Sequence, residues 1–131
     1  MLDTNIISSL IREPCGKVRS RIAHVGADQI CMSVITAAEL HYGVARKGSA
    51  ELRKRVAKAL TLVPVLPLPL GAGPHYGTMR AELERRGKPV GANDYWIAAH
   101  ALAEDAVLVS NNLREFERVT GLHLENWLEQ T

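Results

Sequence analysis

The chain has few cysteines and aromatic residues, and it contains no hydrophobic run long enough to cross a membrane. Its two cysteines, Cys15 and Cys31, form neither a CxxC pair nor a Cys/His zinc motif, so we expect buried thiols in a reducing compartment. The longest apolar stretch, residues 60–73, contains three prolines and is shorter than the roughly 20 residues that a membrane span needs. No basic segment followed by an apolar one opens the chain, which favours a cytoplasmic protein without a secretory signal.

Motifs for several common chemistries are also missing. The sequence has no G-x-x-x-x-G-K-[ST] or G-x-G-x-x-G loop for nucleotide phosphates. It has no G-x-S-x-G nucleophile motif and no H-E-x-x-H zinc motif. The glycine-rich residues 71–77 are therefore predicted to be a loop before a helix rather than a phosphate cradle. The five histidines are scattered along the chain, and each is interpreted as a packing residue of the core or surface.

The composition is that of one ordinary globular domain. With 131 residues, 47% of them hydrophobic and 23% charged, the chain can bury a substantial core, and we expect one domain over residues 1–131. A net charge of +2 is weaker than a nucleic-acid-binding domain usually shows. Any RNA binding would then depend on local basic patches, for which residues 46–58 and 80–88 are candidates. The alternative for both segments is a solvated helix face.

Short apolar runs alternate with helical patterns along the chain. The runs at 30–34, 63–68, 106–110 and 122–124, together with the opening "MLD", predict buried strands of a parallel sheet. Helical periodicity covers residues 4–13, 15–25, 36–47, 49–63, 75–87, 93–106 and 113–119, with Thr36 and Ser49 as predicted caps. This alternation predicts an α/β fold with a small parallel sheet flanked by helices.

Three acidic residues stand at strand ends or in the first turns of helices. Ligands of parallel α/β sheets bind at the carboxyl ends of the strands, so the fold would gather Asp3, Glu39 and Asp94 at one edge. Each has a simpler interpretation when taken alone. Asp3 and Asp94 are good helix caps, and Glu39 suits a solvated helix face.

Together, the three carboxylates would require compensation. They would repel one another by about a few kcal/mol per pair, which protonation, basic partners or a cation would relieve. No Lys or Arg is adjacent to Asp3 or Glu39, and Lys88 lies six positions before Asp94. A divalent cation with oxygen ligands, such as Mg²⁺, is the favoured compensation. Such a site would activate water for attack on a phosphodiester.

Four segments carry a family resemblance over essentially the whole chain. In order and spacing, "MLDTNIISSLI", "SVITAAELHYGVA", "PVGANDYWIAAHALA" and "LVSNNLREFERVTGLHLENW" resemble the PIN-domain ribonuclease toxins of the VapC type. The resemblance implies a PIN-like fold and Mg²⁺- or Mn²⁺-dependent endoribonuclease activity. It also implies a type II toxin–antitoxin system, in which a VapB-type antitoxin inserts its C-terminal tail into the acidic groove. The toxin would be a homodimer that contacts DNA only through the antitoxin.

The resemblance also implies roles for individual residues. Asp3, Glu39 and Asp94 match the metal-binding acids, and Asn5 would support Asp3 near a metal-bound water. Many members carry an Asp at the position of Asn112, whereas this chain has the triplet "SNN" from Ser110 to Asn112. In a subgroup that the "LREFER" run resembles, a Glu matching Glu115 is the fourth acid. The alternative for Glu115 is a solvated helical side chain.

Close relatives of this pattern cut the anticodon stem-loop of initiator tRNA. Phosphate contacts would then come from basic side chains, for which the candidates are Arg80, Arg85, Arg86, Lys88, Arg114 and Arg118. Two alternatives to a ribonuclease stay open. One is a catalytically weak binding module that acts with its antitoxin in operator binding. The other is an α/β phosphohydrolase of another class, which would need a second Asp where this chain has Asn5.

Overall fold

The computed structural model describes residues 1–128 and shows short parallel strands joined by helices. β1 (Met32–Ser33) pairs with β2 (Val65–Leu66), and β3 (Leu108–Val109) pairs with β4 (Leu124–Glu125). The extended residues 1–3 join the two pairs, since Leu2 N–H donates to Cys31 O and Val109 N–H to Met1 O, both at 2.8 Å. The spatial order is therefore β2, β1, residues 1–3, β3, β4. This order reverses beside residues 1–3, where a ligand site is expected.

Seven helices surround this sheet within the described residues: α1 (Thr4–Arg12), α2 (Lys17–Val25), α3 (Val34–Lys47), α4 (Ala50–Leu62), α5 (Ala72–Arg85), α6 (Ala92–Ala103) and α7 (Leu113–Phe116), with a 3₁₀ turn at Ala27–Gln29. None of the helices in residues 1–128 combines the length and apolar character needed to cross a bilayer. The predicted class, a small parallel sheet flanked by helices, is confirmed.

Side-chain caps account for where several helices begin. Asp3 Oδ1 accepts a hydrogen bond from Ile6 N–H at the start of α1, at 3.0 Å, and Ser49 Oγ accepts from Leu52 N–H at the start of α4, at 3.2 Å. The predicted cap at Thr36 is wrong, because Ser33 Oγ accepts from Ile35 N–H at 3.1 Å and starts α3 earlier. Thr36 is consequently buried inside the helix.

Two further predictions, for residues 71–77 and for the cysteines, are wrong. Residues 72–77 are the opening turns of α5 rather than a loop, and Gly71 is the residue at its N-terminal cap. Pro74 is accommodated because the N–H groups of a first turn have no partner within the helix. The cysteines are not both buried: Cys15 is exposed and Cys31 is partly exposed.

Two clusters of buried apolar side chains hold the helices in place. One cluster unites α1, α2, α3 and α4 around residues such as Ile6, Ile7 and Met32. The other unites α5, α6 and α7 around Leu83, Ile97 and Phe116. The helices that carry Glu39 and Asp94 therefore bury most of their apolar side chains in different clusters, although Ile35 of α3 packs against the second one.

Candidate metal-dependent active site

Asp3 lies where the N-terminal strand segment becomes α1, and it is 4% exposed. Its carboxylate caps α1 through Ile6 N–H and also accepts a hydrogen bond from the Ser110 hydroxyl. Burial raises the pKa of Asp3, while the Ser110 and Ile6 hydrogen bonds oppose that rise and the Glu39 charge adds to it. Asp3 is therefore both the predicted cap and a member of an acidic group.

Glu39 reaches the same region from the second turn of α3. It is half-buried, so the interpretation as a fully solvated side chain is wrong. The Thr4 hydroxyl donates a hydrogen bond to Glu39 Oε1. Thr4 is the first residue of α1, so Asp3 and Glu39 are tied to the same helix start. The sequence analysis missed Thr4, and its only signal was the hydroxyl directly after Asp3 in "LDTN".

Asp94 occupies the first turn of α6 without capping it. The helix starts at Ala92 after Gly91, and Asp94 makes no capping hydrogen bond, so the predicted cap role is wrong. The carboxylate lies close over Gly91, where an added Cβ would be 3.4 Å from Asp94 Oδ2. Burial, followed by the Glu115, Glu39 and Asp3 charges, raises the pKa of Asp94 to about 7. A carboxyl group with such a pKa lies in a strongly negative, poorly solvated position.

Glu115 joins this group from the short helix α7. Asn112 Nδ2 donates to Glu115 Oε2 at 3.1 Å. The Glu115 carboxylate is also within hydrogen-bonding reach of Asp94 and raises its pKa. Since Glu115 is partly buried against Asp94, the structure contradicts the alternative of a purely solvated side chain. The fourth acid at this edge of the sheet is therefore Glu115, and Asn112 orients it.

Polar side chains after β3 complete the edge. Ser110 is fully buried, and its Oγ accepts from Asn112 N–H at 2.9 Å while its hydroxyl faces Asp3. The side chain of Asn5 does not reach Asp3 as expected. Asn5 Nδ2 instead donates to Asn111 Oδ1 at 3.3 Å, and only its backbone N–H interacts with the Asp3 carboxylate. Asn5 therefore links α1 to the loop after β3.

No basic side chain balances these acids in the described part of the chain. The ion pairs of residues 1–128 leave out Asp3, Glu39, Asp94 and Glu115, and Lys88 does not pair with Asp94. Within the same residues, no three His, Cys, Asp or Glu side chains are already grouped around a common point that could hold an ion. The acids are thus close neighbours without a preformed ligand shell. Their hard oxygen donors and uncompensated charge fit a divalent cation.

The predicted RNA-contacting residues are on the surface, but some have partners. Arg80 Nε donates to Glu84 Oε1 at 2.7 Å, and Arg86 lies 3.5 Å from Glu82 Oε1. Arg118 donates to Pro89 O at 3.1 Å. The others, Arg85, Lys88 and Arg114, are exposed. A groove of about 280 Å³ also borders the acids, and its lining includes Thr4, Glu39, Arg12 and Lys47.

Comparison with known proteins places this chain in a family. The PIN-domain family model matches residues 1–122. The chain is 43% identical to ribonuclease VapC2 of Haemophilus influenzae, covering 98% of this chain and 97% of the relative. It is 40% identical to the tRNA(fMet)-specific endonuclease VapC of Shigella flexneri, covering 97% of this chain and 96% of the relative.

Solved structures agree with these matches. The crystal structure of VapBC2 from Rickettsia felis, bound to a DNA fragment from its promoter, superposes with a TM-score of 0.89 and 36% identity over 97% of each chain. VapBC-1 from nontypeable Haemophilus influenzae superposes with a TM-score of 0.85 and 35% identity over 98% of each chain. The fold is that of a PIN domain. The chain belongs to this family, among its VapC ribonucleases.

Proposed function

We propose that this protein is the toxin of a type II toxin–antitoxin system and cleaves RNA with the help of a divalent cation. The observation that carries this proposal is the proximity of Asp3, Glu39 and Glu115 to Asp94, where burial and these three charges raise the pKa of Asp94 to about 7. Family membership supports the same activity, because the relatives named above are ribonucleases and endonucleases. The binding-module alternative is not favoured, since no comparable observation supports it.

Each acidic residue has a defined part in the proposed site. Asp3, Glu39 and Asp94 would hold the cation, and Glu115, oriented by Asn112, would complete the charge beside Asp94. Thr4 keeps Glu39 directed at the site, and Ser110 keeps Asp3 directed there. When bound, a divalent cation supplies a water of lowered pKa and stabilises charge on the attacked phosphate. Mg²⁺ is the proposed ion and Mn²⁺ the alternative, since both accept oxygen ligands.

The proposed substrate and partners follow from the relatives. The Shigella flexneri relative is named as a tRNA(fMet)-specific endonuclease, so we propose the anticodon loop of initiator tRNA as the cleaved site. The VapBC structures lead us to propose a VapB-type antitoxin, with DNA contacted through it. We further propose a cytoplasmic homodimer built from a single domain over residues 1–131. The exposed Arg85, Lys88 and Arg114 are the proposed phosphate contacts.

The decisive experiment compares wild-type protein with Asp94→Asn after brief induction, with cleavage sites mapped by primer extension on total RNA. Outer-sphere partners of metal ligands already contribute about 10–100-fold to activity, so we expect the loss of this acid to reduce cleavage by at least about 100-fold. The Asp94→Asn variant should also no longer arrest growth. Initiator tRNA should be the RNA that is cut in the wild-type culture.

Asp105→Asn is the matched control. Asp105 is exposed just after α6 with φ of 50°, a conformation that Asn accepts well. We expect this variant to cleave RNA and arrest growth like the wild type. Full cleavage by Asp94→Asn, or wild-type protein that is inert on total RNA with both Mg²⁺ and Mn²⁺, would refute the proposed function.

A further inference from the structure

We infer that His100 is a positioning residue for the acidic site, because it fixes the helix that carries Glu39 against the helix that carries Asp94. This inference rests on the proposed function and adds a residue to it. His100 is fully buried in α6, and its Nδ1 lies 2.7 Å from Ser33 Oγ, a partner 67 positions away in the sequence. Sequence analysis interpreted this histidine as a packing residue alone.

Ser33 connects this contact to the start of α3. It is the last residue of β1 and the N-cap of α3, where its Oγ accepts from Ile35 N–H at 3.1 Å. Since that bond uses an acceptor site of Oγ, the hydroxyl proton is free to be donated to His100 Nδ1. A single fully buried hydroxyl therefore joins the start of α3 to the last turn of α6.

The same contact holds the helices that carry Glu39 and Asp94 in position relative to each other. Glu39 lies on α3 after Ser33, and Asp94 lies on α6 about one and two-thirds turns before His100. The two helices bury most of their apolar side chains in different clusters, and Ile35 is the α3 side chain that packs against the cluster of α6, so apolar packing between the two helices is limited. The Ser33–His100 hydrogen bond is a directional link at the place where they meet.

The second ring nitrogen of His100 is a buried polar atom that costs the fold free energy. Nε2 is buried without a hydrogen-bond partner among the described residues, and Glu104 Oε1 lies 3.8 Å away. Burial lowers the pKa of His100, so the ring is neutral at pH 7 and makes no full ion pair with Glu104. An apolar side chain would avoid this unpaired polar group. The Ser33 bond is what the histidine provides and an apolar residue cannot.

The test uses His100→Leu, His100→Asn and Ser33→Ala, each purified and free of antitoxin. Leu removes the bond, whereas the Asn side chain places a hydrogen-bonding atom where Nδ1 lies. We expect Leu to lower Mn²⁺ affinity, measured by calorimetry without RNA, by about 10-fold or more, and kcat by a similar factor with KM unchanged. His100→Asn should keep most of the Mn²⁺ affinity and most of the kcat that His100→Leu loses.

Ser49→Ala is the matched control for Ser33→Ala. Both serines cap a helix through Oγ, but only Ser33 also bonds to α6. We expect Ser33→Ala to lose Mn²⁺ affinity like His100→Leu, and Ser49→Ala to keep wild-type affinity. Unchanged Mn²⁺ affinity in both His100→Leu and Ser33→Ala, or equal losses in Ser49→Ala, would overturn the inference. Wild-type protein that binds Mn²⁺ but cuts no RNA would instead refute the proposed function and leave the affinity comparison valid.

Discussion

Asp94 shows how strongly a single residue depends on its surroundings. Its pKa rises from the ordinary Asp value of 3.8 to about 7 because it is partly buried and faces Glu115, Glu39 and Asp3. Near pH 7 the side chain is thus shared between protonated and ionised forms. Only the ionised form is a good ligand for a cation, so ion binding and proton release are coupled at this residue.

Replacing Glu115 by Gln tests this coupling. After burial, Glu115 is the largest cause of the raised Asp94 pKa, so Glu115→Gln should move that pKa toward its ordinary value. An NMR titration of the Asp94 carboxyl would measure the shift. RNA cleavage should fall about 10–100-fold, because an acid beside the cation is lost.

Glu117→Gln serves as the control for that variant. Glu117 is exposed at the end of the same short helix, so its loss should change neither the pKa of Asp94 nor cleavage. An Asp94 pKa that stays near 7 in Glu115→Gln would show that burial and the Glu39 and Asp3 charges raise it without Glu115.

At the scale of elements, local signals predicted most of the helices but not all of their ends. Ser49 was correctly predicted as the cap of α4, because its Oγ bonds to a backbone N–H only three residues away. The start of α3 was missed because Ser33 belongs to the preceding strand and to the cap at once. The first turns of α5 were missed because glycine and Pro74 are also typical of loops.

Ser49→Ala should weaken α4 without affecting the site. Loss of a serine cap costs about 1 kcal/mol of unfolding free energy, which urea denaturation would measure. Cleavage should stay at the wild-type level, since Ser49 contacts Leu52 rather than the acids. Ser49→Asp should preserve stability because Asp is an equally good cap. Equal stability of Ser49→Ala and wild type would show that this cap contributes nothing.

At the scale of the whole molecule, the raised pKa values of the clustered acids make the stability of the fold depend on pH. The pKa of Asp94 is higher in the folded state, so folding binds a proton between about pH 4 and 7. Asp94 therefore adds stability at low pH, and this contribution is lost as pH rises through about 7. The raised pKa of Asp3 acts in the same direction.

Thermal unfolding in EDTA at pH 5 and pH 8 tests this linkage. We expect the Asp94 contribution to fall by about 1–2 kcal/mol between these pH values, allowing for solvent screening of a partly exposed group. Asp94→Asn should remove that part of the pH dependence, and Mg²⁺ should stabilise the wild type most at pH 8. An identical pH dependence in wild type and Asp94→Asn would contradict the raised pKa.

The sequence by itself determined the element types and placed the acids at strand ends or in the first turns of helices, because hydrophobic periodicity and capping patterns are properties of neighbouring residues. It also carried the family resemblance that the comparisons confirmed. Only the tertiary structure showed that Asp94 is not a cap, that Glu115 faces it, and that Thr4 binds Glu39. The same holds for the His100–Ser33 bond. Such contacts depend on distances between helices far apart in the chain, and a local pattern does not contain those distances.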